Sequence, residues 1–94
     1  MAVKLDDVTI RERVQSLSDW TTDGQSLQMS RKFKDFLAAM AFVNRLVDPA
    51  EAAGHHPDIF ISYNRVDITL TTHDAGGLTD MDFQMAQTIS NLVQ

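Results

Sequence analysis

The chain has no cysteine among its 94 residues. Disulfides, thiolate zinc sites and cysteine nucleophiles are therefore excluded. Positive charge is also scarce: 8 Lys and Arg stand against 13 Asp and Glu, for a formal net charge of −5. A protein that grips a phosphate backbone needs clustered cations. Neither nucleic acid nor an anionic membrane surface is an expected partner. No apolar run approaches the roughly 18 residues of a spanning helix, and Met1-Ala2-Val3-Lys4-Leu5-Asp6-Asp7 has no apolar core of a secretory leader. The expected compartment is a reducing cytoplasm. Repeats, linkers and low-complexity stretches are missing too, so one domain over residues 1–94 is expected. With 44% hydrophobic and 22% charged residues, the composition is that of a folded globule. A core this small often gains stability from self-association.

The residues that are present alternate between two periods. Thr9-Ile10-Arg11-Glu12 reads as a capping box, with Thr9 as N-cap and a short helix to about Leu17. Trp20 to Phe33 reads as a β-hairpin around the Asp23-Gly24 turn, with Leu27 and Met29 alternating against polar neighbours. Asp35 is a plausible N-cap for a helix whose stripe is Phe36, Met40, Val43 and Val47, widened by Leu37 and Leu46. Pro49 should kink that helix, or end it with Asp48 capping a new turn. Gly54 reads as its stop.

Asp58 to Thr72 reads as a second hairpin. With Asn64-Arg65 as the turn, Ile59 faces Leu70, Ile61 faces Ile68 and Tyr63 faces Val66, so the apolar sets share one face. After Gly76-Gly77, Thr79 caps a last helix with Asp82 at its third position, along a stripe of Met81, Met85, Ile89 and Leu92. The order is helix, two strands, helix, two strands, helix. The expected fold class is two-layer α+β, a four-stranded antiparallel sheet with helices packed on one face. That leaves Phe60, Ser62, Asp67 and Thr69 on the other face. Trp20 and the five methionines read as core or interface packing.

All three histidines fall between positions 55 and 73. The register above extrapolates to His56 opposite His73, with His55 beside them at the open end of the hairpin. Three readings of this cluster stay open. The histidines could be ordinary surface residues at strand ends. They could bind a metal, for which imidazole is suited, but adjacent residues in extended chain point opposite ways, and no HxH or HxxxH spacing is present. They could act as general acid and base, work for which imidazole is suited by titrating near neutrality.

Several segments together carry a resemblance: Glu51-Ala52-Ala53-Gly54-His55-His56-Pro57-Asp58, Tyr63-Asn64-Arg65-Val66, Leu70-Thr71-Thr72-His73-Asp74 and Gly77-Leu78-Thr79. With Trp20, Asp23-Gly24 and Phe33-Lys34-Asp35-Phe36, they resemble the pterin-4a-carbinolamine dehydratases. The resemblance covers most of the chain from Trp20 onward. It implies a two-layer α+β fold that assembles into homodimers or homotetramers. It also implies dehydration of a 4a-hydroxytetrahydropterin to the quinonoid dihydropterin, with no metal and no cofactor, in tetrahydropterin regeneration. On this resemblance the catalytic histidines are His55, His56 and His73, supported by Glu51 and Asp82. The substrate contacts are Gly54, Pro57, Thr71, Thr72 and Asp74. Gly54 stands where some members carry Asp or Asn, Asp74 replaces a common Glu, and Pro49 interrupts a helix that usually runs on. Some animal members also serve as dimerisation cofactors of a transcription factor, and related proteins act as assembly factors. A non-enzymatic role with a protein client is therefore the alternative.

Overall fold

The computed structural model describes residues 2–93. Its elements are α1 (Asp7–Val14), β1 (Thr21–Thr22), β2 (Leu27–Lys32), α2 (Phe36–Arg45), α3 (Val47–Ala53), β3 (Asp58–Ser62), β4 (Arg65–Leu70), a 3₁₀ turn at His73–Ala75, and α4 (Asp80–Leu92). The four strands form one antiparallel sheet in the order β1-β2-β4-β3. Alternation decides the layers. Leu27 and Met29 of β2, with Val66, Ile68 and Leu70 of β4, are buried under the helices. Their neighbours Gln28, Ser30, Asp67 and Thr69 occupy the open face, where Ser30 Oγ donates to Asp67 Oδ1 at 2.6 Å. This is the expected α+β class, with the middle helix divided in two.

Pro49 explains that division. It has no N–H to give the Arg45 carbonyl, so the ladder lapses there. The chain tightens instead, Leu46 N–H bonding Val43 O at 3.0 Å, and α3 restarts at Val47 without a side-chain cap. Asp48 lies inside the first turn of α3 and does not cap it.

The core-facing side of α2 also departs from the expected stripe. Ala39, Phe42 and Leu46 are buried, and the Phe42 ring stacks at 5.1 Å on Phe33. Phe36, Leu37 and Val47 are exposed. The helix is apolar on two sides, and periodicity cannot say which one meets the sheet. In α4, Phe83 and Ala86 join Met85 and Ile89 in the core, while Met81 and Leu92 lie at its margin.

Three local expectations are corrected. The first helix ends at Val14 and is capped by Asp6, whose Oδ1 accepts from Thr9 N–H at 2.8 Å, not by Thr9. The first hairpin pairs only Thr21 and Thr22 with Gln28 and Leu27, because Asp23 gathers the N–H groups of Gln25 and Ser26 into a wider loop.

The second hairpin turns at Tyr63-Asn64, two positions off the expected register: Ile59 pairs with Ile68, Ile61 with Val66 and Ser62 with Arg65. Tyr63, not Asn64, takes the left-handed conformation, at φ 52°. Asn64 is held elsewhere, exchanging bonds with Phe33 through its carbonyl (2.7 Å) and its Nδ2 (2.9 Å). A slip of two keeps each side chain on its face, so the layers survive the error. Arg65 becomes a strand residue lying over the Phe60 ring.

Candidate functional site

The corrected register ends its ladder at Asp58 and Thr69, so pairing does not set His56 opposite His73. A different device gathers the histidines. Helix α3 closes with Gly54 in the left-handed conformation, φ 61°. Gly54 N–H bonds Glu51 O at 3.3 Å, and His55 N–H bonds Ala50 O at 3.1 Å. This paired closure turns the chain sharply at the helix end and drives the next residue inward, leaving His55 only 8% exposed. Beyond β4, the 3₁₀ turn His73–Ala75 bends back and is closed by the Thr72–Gly77 bridge. The two bends face each other across a cleft of about 650 Å³ lined by Gly54, His55, His56, Thr71, Thr72, His73, Asp74, Ala75 and Met81, with Ala2 at its edge. That volume lies within the range of small-molecule sites.

The floor of the cleft is a buried polar network. Thr79 caps α4, and Asp82 completes the box by accepting Thr79 N–H on Oδ2 at 2.9 Å. The same oxygen accepts the Thr72 hydroxyl at 2.8 Å, and the Thr72 and Thr79 hydroxyls lie 2.8 Å apart. Asp82 Oδ1 meets His55 Nε2 at 2.5 Å. Asp82 and Thr79 are both 0% exposed. A buried carboxylate is tolerable only when its lone pairs are met, and here the Thr79 N–H, the Thr72 hydroxyl and the His55 ring meet them.

At the rim, His56 pairs through Nε2 with Glu51 Oε2, one turn back on α3, and both side chains are largely exposed. His73 and Asp74 are exposed on the 3₁₀ turn, and Thr71 Oγ1 donates to Gln25 O at 2.8 Å. Pro57 turns away from this cleft into a neighbouring apolar groove with Val43, Leu46, Val47, Ala50 and Ile59, which His56 and Glu51 also border. Among the described residues no three of His, Asp and Glu converge where they could hold a metal ion. His55 and His56 face separate carboxylates.

Sequence reasoning took Thr79 only as a cap, and did not see that its hydroxyl joins the site. The signal was available: a Thr-x-x-Asp box directly after the Thr-His segment puts its acid where that segment can reach it. Met81, Ala75 and Ala2 were missed, with no comparable signal. The N-terminal segment reaches the site because Leu5 N–H bonds Leu78 O at 2.8 Å.

Residues 3–92 match the family model described as Pterin 4 alpha carbinolamine dehydratase. A protein of Cyanothece sp. bearing the name "Putative pterin-4-alpha-carbinolamine dehydratase" is 65% identical over 92 residues, covering 98% of this chain and 95% of its own. One of the same name from Nostoc sp. is 63% identical, covering 98% and 99%. Among solved structures, a transcriptional coactivator/pterin dehydratase from Brucella melitensis superposes with a TM-score of 0.91 at 36% identity, over 97% of this chain and 99% of that one. A pterin dehydratase-like RuBisCO assembly factor of the alpha-carboxysome shares the fold, with a TM-score of 0.63 at 23% identity, over 78% and 84%.

Proposed function

Since the chain belongs to the pterin-4a-carbinolamine dehydratase family, we propose that it removes water from a 4a-hydroxytetrahydropterin to give the quinonoid dihydropterin. The observation that carries this reading is the meeting of His55, His56 and His73 on one cleft. The substrate bears a hydroxyl on C4a beside N5. As the C4a–O bond breaks, an acid gives the departing oxygen a proton, and it leaves as water. The N5 lone pair forms the new double bond to C4a, and a base takes a proton from the ring system. One acid and one base suffice, each worth roughly 10²–10⁴-fold.

His56 is the acid in this scheme. It stands exposed at the rim, oriented by Glu51, where solvent can return its proton. His55 and His73 supply the base and the positioning contact. Met81 gives the ring an apolar surface, while Gly54 has open space above its Cα and leaves room for an edge.

The same reading includes a homo-oligomer in the cytoplasm acting in tetrahydropterin regeneration. Phe36, Leu37, Val47, Ile59, Phe60 and Tyr63 are large apolar side chains exposed on one copy, and contact between copies is one way to cover them. The test of function is a dehydration assay on freshly generated 4a-hydroxytetrahydropterin. The expected result is a rate well above buffer alone. A rate equal to buffer, from folded protein, overturns the proposal and favours the non-enzymatic role.

A further inference from the structure

The network beneath the cleft has a direction. Thr79 Oγ1 accepts the Met81 N–H at 3.2 Å, so the hydroxyl proton of Thr79 is free to point to Thr72 Oγ1, 2.8 Å away. Thr72 then points its own proton at Asp82 Oδ2, where the Thr79 N–H also arrives. A backbone N–H can only donate, which fixes this order. One Asp82 oxygen is thus filled by two donors, and the other faces His55 Nε2. An ionised carboxylate only accepts, so the proton of that contact belongs to His55 Nε2. The second ring nitrogen, Nδ1, has no hydrogen-bond partner among the described residues. It is also not among their sealed, unpartnered atoms, of which Arg65 Nε is the one instance. His55 lines the cleft, so Nδ1 is its open end.

We propose that Thr72 is a positioning residue: with Thr79 it occupies one oxygen of Asp82, so that the other holds the Nε2 proton of His55 and leaves Nδ1 bare toward the cleft as the proton acceptor. His55 is then the base. In the step it serves, Nδ1 takes a proton from a pterin ring nitrogen, the electrons of that N–H bond remain in the ring, and the imidazolium so formed keeps its Nε2–H on Asp82. The proton later leaves Nδ1 to water in the cleft. Acid and base are separated because one histidine is locked from behind by a buried carboxylate and the other stands at the rim beside an exposed one. The role of Thr72 follows from its hydroxyl, which is turned down to Asp82 and away from any ligand lying over it.

This assignment rests on the dehydratase reading, but its first test does not need turnover. The ¹⁵N and ¹H correlation spectrum of the His55 ring in the free protein should show the Nε2–H form. Asp82→Asn should reverse it. The amide oxygen must take the place that accepts Thr79 N–H and Thr72 O–H, so the amide NH₂ faces His55 and the ring proton moves to Nδ1. Thr72→Val should leave a mixture of the two forms, and Thr72→Ser should restore the parent spectrum.

In turnover, Thr72→Val should lower kcat by about tenfold or more with little change in KM, the loss expected when a charged acceptor gives up one partner. Thr72→Ser should keep most of the rate. An Nδ1–H form in the parent protein overturns the proposal, as does a Thr72→Val protein with unchanged spectrum and kcat. A parent protein with the expected spectrum and no dehydration would instead remove the functional reading while leaving the buried lock intact.

Discussion

His55 and His56 are adjacent in sequence and are treated in opposite ways. Each ring meets a carboxylate through Nε2. For His55 the partner is Asp82, 0% exposed and held by two further donors. For His56 it is Glu51, which like the histidine stands mostly in water. An exposed pair contributes little to stability because water competes for both partners and salt screens them. A buried one cannot lose a member without leaving a polar group unsatisfied. The same pairing of imidazole with carboxylate therefore forms a structural joint on one side of a peptide bond and a movable acid on the other. Sequence adjacency says nothing of this difference. The left-handed turn at Gly54 makes it.

The largest expected effects are on turnover. His55→Ala and His56→Ala should each lower kcat/KM by roughly 10²–10⁴-fold, the usual worth of one acid or base. They should part company in a thermal melt. His56→Ala should leave stability within about 0.5 kcal/mol of the parent. His55→Ala strands Asp82 Oδ1 and should cost about 1–3 kcal/mol. If His56→Ala melted early and kept full turnover, the division between joint and acid would be reversed.

The carboxylates sharpen the comparison at a smaller scale. Asp82→Ala removes the acceptor of a backbone N–H, a hydroxyl and an imidazole at once, and should cost about 2–4 kcal/mol in urea unfolding. Glu51→Ala should cost no more than about 0.5 kcal/mol, while slowing turnover through the orientation of His56. Equal losses from the two substitutions would mean that the burial contrast does not govern the site.

How much of this was legible before the structure depended on the range of the interaction. The Thr79–Asp82 box is local, three residues apart, and period and cap residue were enough to place it. The same holds for Asp35, which caps α2 as expected, accepting Ala38 N–H at 2.8 Å. The α+β class followed from the alternation of Val66, Ile68 and Leu70 with polar neighbours. Errors arose where a distant partner decided. Asn64-Arg65 was expected as the turn, but Asn64 bonds Phe33 across the sheet, and the turn falls on Tyr63-Asn64 with Tyr63 in the left-handed conformation. Phe42 was passed over for the Phe36 stripe because only Phe33 reveals which side of α2 is inward. The histidine cluster was anticipated from a register that was two residues wrong. It forms because two chain bends meet, and its membership, unlike its route, was readable in the spacing of His55, His56 and His73.

The smallest expected effect tests exposed carboxylates of another kind, Asp6 and Asp23, which bond backbone N–H groups where Glu51 bonds a side chain. The Thr9 backbone N–H, helped by the Thr9 side chain, holds the Asp6 carboxyl below its ordinary value of 3.8. The N–H groups of Gln25 and Ser26 do the same for Asp23. Slight burial pulls weakly the other way in both. A carboxyl lowered by folding binds its proton less readily in the native state than in the unfolded chain. Its contribution to stability is therefore complete above the ordinary value and is lost as the pH falls through the lower, folded one. Asp6→Ala should melt below the parent at neutral pH, since Ala cannot cap α1. The gap should begin to narrow as the pH drops below 3.8 and should close toward the lower folded value, where the parent's own cap becomes protonated. Asp6→Asn retains a capping oxygen without a titrating charge, so its melting temperature should stay near the parent's at neutral pH and should not follow the same acid decline. A gap between Asp6→Ala and the parent that stayed constant into strong acid would show that the cap acts through shape alone. The lowered titration of Asp6 would then have no part in the acid stability of the fold.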